Sequence, residues 1–175
     1  MTDTFVTFSV LAVYSAMAVY TLAFILFTLD LARRSAAAPA VAAAASVASV
    51  SGGTTLLERT DAPAAVTRTT PGYLRAAMAL TVIGWVLHVS AAILRGLAAG
   101  RVPWANMFEF TLTATAIIVG VFLGIQFWQD LRFLGAFISG FVLIALGGAT
   151  VNFYVDVVPL PPALQSAWLV IHVFV

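Results

Sequence analysis

Long charge-free apolar runs alternate with short polar connections along most of this chain. Phe5 to Leu29 is 25 residues without a charge and ends in Asp30, Arg33 and Arg34. A run of that length crosses a hydrocarbon core about 30 Å thick with some tilt. A signal peptide would need a basic start and a shorter apolar stretch, whereas this run follows Met-Thr-Asp-Thr. It reads as a permanent first transmembrane helix, within residues 1–32. Tyr73 to Leu97, Ala105 to Trp128 and Phe133 to Val151 predict three more spans, with Gln129 to Arg132 as a tight polar turn. Ser166 begins a fifth apolar run, and the sequence ends at Val175. Ten helical residues rise only about 15 Å, which predicts an N-terminal portion of a longer protein. The fold class expected is an all-α polytopic membrane protein with four complete transmembrane helices and the start of a fifth.

Between the first two spans the pattern is lost. Residues 33–72 turn to Ala, Ser, Thr, Pro and Gly, with Glu58, Arg59, Asp61 and Arg68 scattered through them. Ala36 to Ala48 could be helical in isolation, yet Pro39, Gly52 and Gly53 interrupt it. A flexible cytoplasmic linker is the expectation. Residues 73–175 then form the membrane domain proper.

Composition agrees with the pattern. The 175 residues are 62% hydrophobic and 9% charged, with a mean hydropathy of +1.07, far from the roughly one quarter charged residues of a soluble domain. Lysine and cysteine are absent, which excludes disulfides, thiolate metal sites and a redox dithiol on this chain. A net charge of +1 gives no footprint for nucleic acid. Arginines decide the expected orientation: with alternating spans, six fall on one side, and Arg95 and Arg101 on the other. The linker is then cytoplasmic and the N-terminus outside. The connection Arg101–Asn106 and the loop Asn152–Gln165 face the exterior, and His88, Glu109 and His172 fall in the outer half of the membrane.

Three places spend polar groups at membrane depth, where ionisable side chains are costly and so are functional candidates. On the second span, Gly84, His88, Ala91, Ala92 and Arg95 share a face by helical spacing. An imidazole among small residues, with an arginine about 10 Å outward, suits a haem iron ligand with the guanidinium on an acidic substituent. It equally suits a histidine bonded to a neighbouring helix. The second place is Arg101-Val-Pro-Trp-Ala-Asn-Met-Phe-Glu109, where Asn106 and Glu109 lie one turn apart. Glu109 could pair with Arg95 or Arg101, and Trp104 and Phe108 could be interfacial anchors. In the third, Pro161 and Pro162 stiffen the approach to a helix that Ser166 could cap, with Trp168 and His172 on one face. His172 could be an axial metal ligand, a proton relay or an ordinary interfacial residue. Gly120–Gly124 and Ala136–Gly140 carry the small-xxx-small spacing of helix packing.

Two of these segments together resemble a known family. Arg101 to Glu109 resembles the Pro-(Trp/Leu)-(Ser/Gly)-Asn-x-(Tyr/Phe)-Glu signature of the CcsA/ResC-type cytochrome c biogenesis proteins. Pro161-Pro-Ala-Leu-Gln-Ser-Ala-Trp-Leu-Val-Ile-His-Val173 resembles that family's Pro-Ala-Leu-Gln-Ser-x-Trp-Leu-x-x-His-Val. The likeness covers roughly Tyr73 to Val175, and the first helix and linker agree with actinobacterial CcsB-like versions. It implies a multi-pass subunit of the cell membrane that works with a ResB-type partner and membrane lipid. The pair would carry haem b outward and present it to an apocytochrome c Cys-x-x-Cys-His site whose thiols thioredoxin-like proteins keep reduced. The resemblance makes His172 an axial haem ligand at the outer site and His88 a candidate transmembrane ligand. It makes Arg95, Arg101, Trp104, Asn106, Glu109 and Trp168 the wall or support of that site.

The family's tryptophan-rich loop and second external histidine lie beyond the His172 position, outside this sequence. The chain by itself is therefore expected to be inactive as a haem lyase. The reading from another class is a small transporter or channel subunit with Glu109 and His88 as a proton or ion relay, and a third is a structural scaffold of paired polar residues.

Overall fold

A computed structural model describes residues 2–50, 72–157 and 168, with side chains throughout except at 37–50. It is all-helical, and no strand occurs among the described residues. Four helices carry the fold: α1 (Thr2–Val50), α2 (Gly72–Ala99), α3 (Met107–Ile125) and α4 (Gly135–Asn152), the last entered through a 3-10 turn at Arg132–Leu134. All four are long and apolar enough to cross a membrane, α1 through Thr2–Ala36.

The expected spans coincide with these helices to within a few residues, and one boundary differs. Helix α1 continues past Asp30 to Val50, through the first part of the segment expected as a flexible linker. Half of the sequence there is alanine, which has the highest intrinsic helix propensity and needs no burial to hold its backbone. The remainder of the expected linker, residues 51–71 with Glu58, Arg59, Asp61 and Arg68, lies outside the described residues. So do the loop prolines Pro159, Pro161 and Pro162, and Ser166 and His172.

Neighbours in sequence run antiparallel. Ser9 of α1 donates to the Ala91 carbonyl of α2 (2.9 Å), while at the opposite end the Arg33 guanidinium stacks over the Tyr73 ring (4.8 Å). Trp85 of α2 donates to the Ala116 carbonyl of α3 (2.8 Å). Helix α4 lies antiparallel to α1, with Gly135 against Phe27 and Gly140 against Phe24. These glycines set the spacing. A Cβ at Gly135 would stand 2.6 Å from the Phe27 ring, and one at Gly84 2.8 Å from the ring of Tyr20. Lipid tails are as apolar as leucine, so close backbone approach supplies much of what holds such helices together.

The core reflects that arrangement. Val13, Ala16, Tyr20, Ala91, Phe108, Leu112, Val142 and Leu146 form one buried cluster, while Ala23, Phe27, Leu74, Ala77 and Ala136 form a second toward the Arg33 end. Ile83, Ile93, Phe110, Ile117, Phe137 and Ile144 point outward, as expected of surfaces that meet acyl chains. Ala136 and Gly140 pack on α1 as their spacing predicts. A Cβ at Gly120 would stand 3.2 Å from the Trp85 ring, whereas one at Gly124 would have nothing within 4 Å.

Candidate functional site

Asn106 fixes where α3 begins. Its backbone is extended, and its side-chain carbonyl accepts from the Glu109 N–H (2.8 Å), the bond of an N-cap. The Glu109 side chain turns back over the same helix end and accepts from the Ala105 N–H (3.1 Å). This reciprocal arrangement resembles a capping box displaced by one residue. It places a carboxylate, fully buried, at the mouth of the helix. Gly100, at φ +63°, makes the turn out of α2, and the Arg101 N–H closes that turn on the Gly96 carbonyl (3.1 Å). The turn brings Arg101 back toward the end of α2, where Arg95 points inward.

Glu109 meets both arginines that the sequence offered as alternative partners. Arg95 Nε donates to Oε1 (3.2 Å), Arg101 Nη1 to Oε2 (2.6 Å) and Arg101 Nη2 to Oε1 (3.3 Å). Arg95 is fully buried and the Arg101 side chain is 15% exposed. Arg95 Nη2 donates to the Val155 carbonyl in the segment after α4. Its guanidinium lies over Phe108 (4.7 Å) and Tyr154 (5.3 Å), whose rings meet edge to face. Cation–π contacts of this kind gain strength once water is excluded. The ends of α2, α3 and α4 are thus tied together by one guanidinium.

His88 lies deeper in the same bundle and belongs to a different network. It is fully buried, with Nε2 2.9 Å from the Leu112 carbonyl and Nδ1 3.4 Å from the Tyr20 hydroxyl. A carbonyl only accepts, so Nε2 carries the proton and Nδ1 accepts from Tyr20. The Thr115 hydroxyl approaches Nε2 as well (3.4 Å). The small residue Gly84, one turn from His88, leaves room that the Tyr20 ring occupies. Both ring nitrogens are engaged, so the described residues do not fit haem iron at His88 as it stands. The imidazole joins α1, α2 and α3.

Of the residues singled out in the sequence, Arg95, Arg101, Asn106 and Glu109 come together in one cluster. Trp104 sits half-buried in the connection that carries it. Trp168 is 76% exposed, and His172 lies outside the described residues. Sequence reasoning did not find Tyr20, Tyr154 or Val155. Tyr20 is one of several hydroxyl side chains in an apolar helix, and its distance from His88 in sequence gave no spacing to read. Beside the cluster, between α2 and α3, runs an apolar groove of about 300 Å³ lined by Trp85, Ala92, Gly96, Pro103, Ala116 and Gly120. No group of three His, Cys, Asp or Glu side chains placed to hold a metal ion occurs among the described residues.

The comparisons point in one direction. No family model matches the chain, and no solved structure gives a significant match. Over 82 residues, 45% of its length, it is 34% identical to the cytochrome c biogenesis protein CcsA of Trieres chinensis. The alignment takes in 26% of that protein, so the chain spans about a quarter of the curated relative it matches. This is a multi-pass helical membrane protein with partial similarity to CcsA, a protein named for cytochrome c biogenesis.

Proposed function

We propose that the chain belongs to a haem-handling membrane subunit of a cytochrome c synthase, with haem b as cargo delivered to the outer face. The observation that carries this reading is the 34% identity over 82 residues to CcsA. The segments around Glu109 and His172, with the signatures of the same family, support it. Haem would be presented there to an apocytochrome c Cys-x-x-Cys-His site, in company with a ResB-type partner and thiol-reducing thioredoxin-like proteins. In this reading the N-terminus is outside the cell membrane, and the Arg95–Arg101–Glu109 cluster belongs to the outer end of the bundle. His172 is assigned as the axial ligand, because it is the histidine within a family signature. His88, bonded at both nitrogens, is assigned to joining the helices.

The test is an absorption spectrum of the protein purified with its ResB-type partner. A Soret band is expected, lost in His172→Ala and retained in His88→Asn. A folded preparation without a Soret band would overturn the proposal. A proton relay between Glu109 and His88 is less well supported. Both Glu109 oxygens are held by arginines and a backbone N–H, and no hydrogen bond joins Glu109 to His88 among the described residues.

A further inference from the structure

The charges of the Arg95–Arg101–Glu109 cluster do not balance. Two guanidinium ions share one carboxylate, leaving an excess of +1 in a place where Arg95 and Glu109 are fully buried. Leaving a buried charge uncompensated is among the costlier things a fold can do. Among the described residues, the other carboxylates at this end of the bundle are Asp3 and Asp156. Both are exposed, and neither forms an ion pair among the described residues. Each arginine also keeps one buried donor without a hydrogen-bond partner among those residues, Nη1 on Arg95 and Nε on Arg101. An unmet donor on a charged group carries most of its desolvation cost. Charge excess and unmet donors therefore fall on the same two side chains. The cluster lies at helix ends, and Arg101, its partly exposed member, marks the side from which a ligand would approach. The α3 N-terminus beside it adds a further positive partial charge.

We propose that this cluster binds an external oxyanion, a carboxylate or a phosphate, through the free donors of Arg95 and Arg101. Glu109 holds the two guanidiniums in place and lowers their combined charge to a level the fold can carry without a ligand. At the edge of a bilayer such an oxyanion has two sources, a phospholipid headgroup or the carboxylates of a flat amphiphile such as a porphyrin. The site follows from charge and hydrogen bonding alone and stands whether or not the chain handles haem.

The experiment uses the purified chain in lipid nanodiscs. Thermal midpoints are compared in phosphatidylcholine and in phosphatidylglycerol discs. Binding of metal-free protoporphyrin IX and of its dimethyl ester is then measured by fluorescence in phosphatidylcholine discs. Glu109→Gln raises the excess charge to +2 and is expected to tighten oxyanion binding about tenfold, the scale of one charge-assisted hydrogen bond. Arg101→Gln cancels the excess and is expected to weaken binding by about the same factor. Arg101→Lys keeps the charge without the Nε donor, falls between them, and serves as the folded control. A purely structural cluster would be weakened alike by both glutamine variants, with no change of sign. Binding of the free porphyrin but not the ester assigns the site to a carboxylate. A midpoint raised by phosphatidylglycerol over phosphatidylcholine, whose phosphate is balanced by its own choline cation, assigns it to an anionic lipid headgroup. A chain that responds to neither probe, or glutamine variants that shift binding in the same direction, would overturn the proposal.

Discussion

Glu109 shows how an expensive residue becomes an affordable one. A carboxylate alone at this depth would be protonated or expelled, but here its two oxygens receive bonds from two guanidiniums and one backbone N–H. Its worth is measured by what its loss leaves behind. Glu109→Ala strands the buried Arg95 and the half-buried Arg101 and is expected to cost about 3–5 kcal/mol, read as a lower unfolding midpoint in detergent. Tyr20→Phe is a milder case. It removes only the hydroxyl that donates to His88 Nδ1 at 3.4 Å, and hydrogen bonds between membrane helices are worth about 0.6 kcal/mol on average. A loss of well under 2 kcal/mol is expected in the same assay. A larger one would show that the His88 network carries more than this geometry gives it.

The helices owe their positions to small residues more than to large ones. Gly135 lets Phe27 seat against the start of α4, and Gly84 lets the Tyr20 ring lie across α2. Gly135→Ala would press a methyl into a ring edge 2.6 Å away, and overpacking of this kind costs about 1–3 kcal/mol. Gly124→Ala is the control, since nothing stands within 4 Å of its Cβ position. The expected result is a lowered midpoint for the first variant and an unchanged or slightly raised one for the second. Both glycines belong to runs that look alike in sequence, so only the packing separates them. The Ala-rich end of α1 gives the complementary lesson. Weak hydrophobicity argues against a span there but not against a helix, and the backbone remains helical to Val50.

At the scale of the molecule, antiparallel alternation collects charge at two ends. Asp30, Arg33, Arg34 and Arg132 lie at one end, and Arg95, Arg101 and Glu109 at the other. The proposed orientation, which rests on the arginine imbalance, puts the first end in the cytoplasm, and a cysteine-free chain makes that proposal directly testable. Single cysteines at exposed Asp130 and exposed Val102 are expected to react with a membrane-impermeant maleimide from opposite sides. Val102→Cys should be labelled in intact cells and Asp130→Cys only after permeabilisation. The reverse pattern would invert the proposed orientation and place the Glu109 cluster inside.

The sequence by itself determined the number of described spans, their approximate ends and their membrane character. These follow from local hydrophobicity and from the absence of charge over more than 18 residues, which no tertiary contact needs to supply. It also marked Arg95, Arg101, Asn106 and Glu109, because polar groups at membrane depth are conspicuous in one dimension. Tertiary structure decided how those groups are used. Only the turn at Gly100 and the return of the chain after α4 set two arginines on one carboxylate and brought the Val155 carbonyl and the Tyr154 ring over Arg95. Likewise, the face of α2 that offered His88 room beside Gly84 was legible from helical spacing, but the tyrosine that fills it comes from another helix. Spacing reports what one helix presents; what meets it depends on contacts between residues far apart in the chain.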